Sequence, residues 1–153
     1  MHHRSLIVLV LLVGLAAPAW ATPATQTGIA LKLAAAGITN AEIKLNVPIV
    51  IPTADNPFEE TETTLWATLI CPNKGAAKLP TILITTAYRH EFMTVIGIPM
   101  LKHGYNLLCV DCRGQGSSGG AWTMLDPVEH YDLAYIVDKW IPAQSWSNGL
   151  IGM

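Results

Sequence analysis

Three stretches of the chain carry residues whose types and spacing could do chemistry. Gly114-Gln115-Gly116-Ser117-Ser118-Gly119 has the G-x-G-x-x-G spacing of a loop whose amides cradle a dinucleotide pyrophosphate. That chemistry needs a first strand-to-helix turn with the helix opening at the loop. Here Ala121 to Leu125 stand between the loop and the next helix-forming residues, and no acidic residue can be placed at the end of a following strand. The alternative is a tight turn needing left-handed backbone at several positions, which glycine adopts without strain. Cys109-Val110-Asp111-Cys112 has C-x-x-C spacing, but it ends a strand-like run instead of opening a helix, and no second C-x-x-C or histidine pair supplies zinc ligands. With Cys71 the cysteines number three, an odd count that argues against a scaffold of bridges, so they are read as buried structural thiols. His90 beside Glu91, His103 and His130 are candidate bases. Each falls on a loop or helix face with no serine presented to it, and they are read as solvated or packing histidines. Neither a metal nor a cofactor is expected.

The elements that must position these residues follow from periodicity. Ile43 to Ile51 and Thr64 to Cys71 alternate and are rich in β-branched residues, with a polar stretch, Pro52 to Glu62, between them; they predict an antiparallel hairpin with a long connection. Thr81 to Thr86 predicts a short buried strand, Val95 to His103 a short helix with Gly104 as its exit, and Tyr105 to Val110 another strand. The glycine loop, Arg113 to Gly120, follows. Asp126 is a good N-cap and Pro127 a good first helical residue for a helix whose apolar positions run from Val128 to Trp140. Ser145 to Gly149 predicts a turn, and Leu150 to Met153 the first residues of a further strand. Thr22 to Gly37 is Ala- and Thr-rich and is read as a lead-in segment or weak helix. The order predicts an α/β sheet, antiparallel at its N-terminal hairpin and parallel beyond it with crossover helices. A strand broken off in mid-sheet leads to the expectation of an interrupted domain.

Composition limits the classes that remain. The 153 residues are 51% hydrophobic and 13% charged, with a net charge of −2 and no basic block longer than His2-His3-Arg4, so a globular chain is expected and a nucleic-acid partner is not. Leu6 to Ala17 is an uncharged apolar run, too short to span a bilayer, and it is followed by Pro18 and Ala19-Trp20-Ala21. This reads as a secretory signal peptide cleaved after Ala21, against the alternatives of an N-terminal membrane anchor or a buried core helix. The expected organisation is a signal at 1–21, a lead-in at 22–40 and a sheet domain at 41–153. The mature product would then be exported, periplasmic or extracellular, with no stable membrane span after cleavage.

The loop at Asp111-Cys112-Arg113-Gly114-Gln115-Gly116-Ser117-Ser118-Gly119 closely resembles the D-x-R-G-x-G-x-S-x-G loop of α/β-hydrolases. Thr85-Thr86-Ala87-Tyr88 resembles a T-P-Y segment after an earlier strand, and Gly104-Tyr105 the G-Y that starts the next. Gln144 to Met153 is similar to the Q-P-W-S-[DN]-G-x-[VI]-G-M stretch that leads into a nucleophile elbow. Together, from about Ile43 to Met153, these motifs resemble the X-Pro dipeptidyl-peptidase / cocaine-esterase group of serine hydrolases. The resemblance implies an incomplete α/β-hydrolase sheet and hydrolysis of a small acyl ester or peptide through a Ser-Asp-His triad. No G-x-S-Y-x-G elbow of this group occurs in the 153 residues, so the nucleophile and its partners are expected beyond Met153. Tyr88 matches the tyrosine whose hydroxyl helps form the oxyanion hole, with Ala87 in place of proline beside it. Asp111 and Arg113 are expected to act structurally, as a pair or on the loop's backbone. Trp122, Trp140 and Trp146 are read as core and loop anchors, with Trp122 also a candidate wall of an acyl pocket. Two other readings stand beside this one: a non-catalytic secreted binding protein on the same half-fold, and a dinucleotide-binding domain at Gly114–Gly119.

Overall fold

Alternating apolar residues on five segments build one mixed sheet, and the helices between them cover its two faces. The computed structural model describes residues 23–153 apart from 59, 76, 124 and 125. The expected export signal therefore lies outside the described residues. The order is α1 (Pro23–Ala35), β1 (Glu42–Ile51), β2 (Thr63–Cys71), β3 (Leu79–Thr86), α2 (His90–Leu101), β4 (Asn106–Asp111), α3 (Pro127–Tyr135) and β5 (Ser147–Gly152). In space the strands run β1-β2-β4-β3-β5. β1 pairs with β2 and β2 with β4 antiparallel, while β4 with β3 and β3 with β5 are parallel. This is the expected α/β sheet, with its antiparallel hairpin at one edge. Among the described residues no helix is long and apolar enough to cross a membrane.

Successive strand residues point to opposite faces, so β4, buried along its whole length, feeds two cores. Leu108 and Val110 join Leu65, Leu69, Leu83 and Trp146 under α3, whereas Leu107 and Cys109 join Ile29, Leu33, Ile98 and Leu101 under α1 and α2. α2 lies close on β4 because residue 97 is glycine: a Cβ there would overlap the Leu107 side chain. The sheet's two edges are unlike. β1 carries the Glu42–Lys44 ion pair (3.3 Å), Pro48 with no N–H to offer, and a register shift between Lys44 and Val47, all of which discourage further pairing. β5 carries no charge and leaves Leu150 67% exposed.

Where local signals exist, the elements form as the sequence predicts. Asp126 accepts a hydrogen bond from Val128 N (2.9 Å) and Pro127 opens α3. Gly104, at φ 82°, ends the turn after α2, with its amide donating to Leu101 O. The stretch read as a lead-in segment or weak helix folds as the helix α1, held by Ile29 and Leu33 in the second core. Two elements differ from expectation. β5 begins at Ser147, inside the expected turn, because Ser147 pairs with Leu79 of β3. α2 starts at His90 and ends at Leu101 instead of running Val95 to His103. Its N-cap position, Arg89, contributes no capping side chain, and the acceptor for the first helical amide comes from another strand. The final turn, Ile136–Trp140, is a π-helical continuation of α3, with Ile141 N donating to Ile136 O.

Candidate functional site at the carboxyl ends of β3 and β4

In an open α/β sheet, loops leaving the carboxyl ends of parallel strands are the usual place for a ligand. Thr86 ends β3 and Asp111 ends β4, and the two are direct partners in the parallel register. Tyr88 and the glycine loop therefore emerge side by side. Tyr88 is 77% exposed, on a turn in which its amide donates to Thr86 Oγ1 (2.9 Å) and the next residue, Arg89, has a left-handed φ of 67°.

The glycine loop folds onto the protein itself. Gly114 N donates to Gly119 O, Ser118 N to Gln115 O and Gly119 N to Thr64 O, and Ser117 N donates to Asp111 Oδ2 (3.2 Å). Ser118 Oγ bridges Trp66 N (2.9 Å) and Asp111 O (2.8 Å). At Gly116, φ is 55° and a Cβ would overlap the Asp111 carboxylate. The amides that would have to face a pyrophosphate are thus spent on the chain's own oxygens, and the helix that should receive the phosphate starts only at Pro127. The glycines serve turn geometry and close approach to Asp111.

Asp111 and Arg113 both act structurally, with separate partners. Arg113, 2% exposed, donates from Nε (2.8 Å) and Nη2 (2.6 Å) to the two oxygens of Asp132, and from Nη1 to Thr63 Oγ1 (3.0 Å). Asn56 Nδ2 adds a bond to Asp132 Oδ1 (3.0 Å), so the β1–β2 connection, the start of β2, the loop and α3 are tied at one point. Asp111 accepts from His90 N (2.6 Å) as well as from Ser117 N. Burial is the main influence on its carboxyl and pushes it up to about 6, against the lowering effect of the two amides.

Of the candidate histidines, His103 and His130 are exposed, and His90 is buried. His90 Nδ1 lies 2.7 Å from Thr68 Oγ1, and Nε2 lies 3.8 Å from Asp111 Oδ2. The sequence of hydroxyl, imidazole and carboxylate has the order of a nucleophile, base and orienting acid. Thr68, however, is 0% exposed in the middle of β2, where no substrate atom reaches it. Burial pushes the His90 imidazole down, with Glu91 opposing. Glu91 is paired with Arg89. His90, Glu91 and Asp111 have ligand-type atoms within 4.8 Å of one another, close enough to share a cation, but they face amides, a hydroxyl and a guanidinium already in place. The Thr68–His90 and Arg113–Asp132 contacts join distant segments, and no spacing pattern in the sequence announces them.

The cysteines are free: Cys71 and Cys109 are buried, with their thiols pushed up to about 11 and about 12 by burial, and Cys112 is half-buried. Trp146 is buried in the core with Trp140 against it at a centroid distance of 6.2 Å, and Trp122 is 44% exposed beyond the loop. Beneath the loop, a cavity of about 280 Å³ lies between the ends of β3 and β4 and α3, lined by Thr85, Val110, Cys112, Glu129, His130 and Leu133.

Solved structures share this arrangement of strands and helices. A CocE/NonD family hydrolase from Staphylococcus aureus superposes with a TM-score of 0.59 at 19% identity, over 72% of this chain and 22% of that one. An aminopeptidase from a marine sediment Thaumarchaeota archaeon gives 0.54 at 18% identity over 73% and 20%, and an alpha-amino acid ester hydrolase gives 0.51 at 19% over 74% and 21%. At these identities the likeness is one of fold, and the chain spans about a fifth of the length of each of these structures. No curated protein matches the chain significantly. The sequence model that does match is that of the X-Pro dipeptidyl-peptidase (S15) family, over residues 61–153, a stretch that takes in β2 to β5, the Tyr88 turn and the glycine loop. With more than half of its residues matched, the chain belongs to the X-Pro dipeptidyl-peptidase family of hydrolases.

Proposed function

We propose that these residues form the N-terminal part of an exported serine hydrolase that cleaves a small acyl ester or an X-Pro type peptide bond. The observation that carries the reading is the family match across residues 61–153, which includes both loops at the carboxyl ends of β3 and β4. In this reading Tyr88 donates its hydroxyl to the oxyanion that develops on the attacked carbonyl. A donor aimed at that oxygen stabilises the tetrahedral intermediate, and losing one typically raises the barrier by about 3 kcal/mol. The exposure of Tyr88 at the strand ends supports the role, because the phenol is open to an incoming substrate. The second donor would be the amide after a serine in a G-x-S-Y-x-G elbow following Met153. The 153 residues hold no such serine and by themselves are without hydrolytic activity in this reading. Export rests on the Leu6–Ala17 run and the Ala19-Trp20-Ala21 site.

A chromogenic ester assay on the purified 153-residue chain tests the proposal. No turnover is expected, and turnover abolished by a serine-directed inhibitor would overturn the placement of the nucleophile. In a chain extended through the elbow and the triad's Asp and His, Tyr88→Phe should lower kcat on the order of 100-fold with little change in KM. An unchanged kcat would remove Tyr88 from the oxyanion hole.

A further inference from the structure

The turn that presents Tyr88 has no proline, and it contains one strained left-handed residue, Arg89 (φ 67°). Both of its ends are nevertheless tied. On the β3 side, Thr86 Oγ1 accepts from Tyr88 N (2.9 Å). On the α2 side, Asp111 Oδ1 accepts from His90 N (2.6 Å), and the other oxygen of the same carboxylate accepts from Ser117 N (3.2 Å) in the glycine loop. Asp111 is fully buried, and the β3–β4 register sets it beside Thr86. One carboxylate therefore holds the Tyr88 turn against the glycine loop, using both oxygens.

We propose that Asp111 is the positioning residue for Tyr88: its ionised carboxylate fixes the turn to the glycine loop, and its protonation releases one of the two amides. An ionised carboxylate offers two strong acceptors, whereas the protonated group turns one of them into a hydroxyl donor. The functional meaning rests on Tyr88 being the oxyanion donor; the clamp itself does not.

The titratable and charged groups around Asp111 come from every element packed against it. α2 supplies His90, whose Nε2 stands 3.8 Å from Oδ2, and Glu91; the turn supplies Arg89, paired with Glu91; β4 supplies Cys109, and Cys112 follows it. Glu91 raises the Asp111 carboxyl and Arg89 lowers it, leaving burial as the largest influence and placing the group at about 6. The release is expected in the range where an enzyme experiences ordinary changes of pH.

Amide spectra of isotopically labelled 153-residue chain, recorded from pH 7.5 to 4.5, test the clamp. The amides of His90 and Ser117 should shift with a common midpoint near pH 6, and that of Tyr88 should follow. In Asp111→Asn the side chain keeps one oxygen and turns an NH₂ toward the other donor. The titration should then vanish, and one of the two amides should exchange with solvent about 10- to 100-fold faster. Glu91→Gln should keep the shared titration and move its midpoint downward, because the Glu91 charge raises the Asp111 carboxyl. The proposal is overturned if the two amides show no shared midpoint, if the titration survives in Asp111→Asn, or if Glu91→Gln abolishes it. Should Asp111→Asn fail to fold, the unmodified chain and Glu91→Gln still decide the matter. Loss of the oxyanion role in the extended chain would leave these shifts untouched, so the two readings fail separately.

Discussion

Asp111 and Arg113 leave β4 two residues apart and turn to opposite faces of the sheet, where each is buried among polar groups, yet the two surroundings differ in charge. Arg113 meets a carboxylate head-on: both oxygens of Asp132 receive its guanidinium, and Thr63 and Asn56 complete the set. Asp111 meets mainly backbone amides and a histidine whose imidazole burial pushes down. Loss of hydration is common to both sites. At Arg113 it is offset by an opposite charge in bidentate contact, and at Asp111 only by dipoles, so its proton affinity rises. One network is a closed staple, and the other is able to respond to pH.

Breaking the staple should produce the largest effect. Asp132→Ala leaves the Arg113 guanidinium buried without its carboxylate and is expected to cost about 3–5 kcal/mol in chemical denaturation. For a chain of this size that is enough to erase a cooperative transition. Replacing both partners by apolar residues should recover much of the loss. A loss under about 1 kcal/mol would mean that the two networks do not differ in the way described.

Gly116→Ala attacks the other network by crowding. The new Cβ overlaps the Asp111 carboxylate and sits at a positive φ, so a loss of about 2–3 kcal/mol is expected. Combining it with Asp111→Ala should relieve the crowding and leave only the backbone part. Strict additivity of the two changes would place the strain elsewhere.

The pH dependence of stability sharpens the contrast, and its sign follows from the two groups concerned. Asp111 is raised from 3.8 to about 6, so the folded state holds its proton more tightly than the unfolded state. Its contribution is present in full below about pH 4 and is lost as the pH rises through 6. His90 is lowered from 6.5, so its contribution is present above pH 6.5 and is lost on acidification. In the unmodified chain the two slopes oppose each other. Asp111→Asn removes the first, and thermal unfolding from pH 7 to 4.5 should fall more steeply for the variant, by roughly 1–3 kcal/mol across the window. His90→Gln should tilt the curve the other way. Parallel curves for Asp111→Asn and the unmodified chain would show that Asp111 does not titrate there. Smallest of all, Tyr88→Phe should change stability by less than about 0.5 kcal/mol, because the ring is mostly exposed.

Elements whose signals are local are legible in the amino-acid sequence. Alternation predicts the strands of the β1–β2 hairpin to within a residue, since a pattern held over eight or more residues leaves little freedom of register. Asp126 and Gly104 mark their helix ends because their partners lie within three residues along the chain. The start of α2 is not legible in this way. Its first amide is capped by Asp111, 21 residues later, and nothing around Arg89 carries the signature of an N-terminus. The sequence predicts a solvated or packing role for His90, and it is a buried packing group whose partner, Thr68, lies 22 residues earlier on β2.

The sequence alone determined an α/β sheet with an antiparallel edge, the Tyr88 turn and the glycine loop as neighbours in motif order, and the likeness to a hydrolase family. These depend on periodicity and on short motifs, whose physical causes act over a few residues. Only the tertiary structure decided what Asp111, Arg113 and His90 do. Each is buried, and a buried polar group takes its role from whatever donor or charge the packing of other segments brings within about 3 Å. The pairing of β2 with β4 and of β4 with β3 sets Thr68, His90 and Asp111 together, and the docking of α3 supplies Asp132 to Arg113. Two polar residues that look alike along the chain thus become a fixed staple and a clamp responsive to protons.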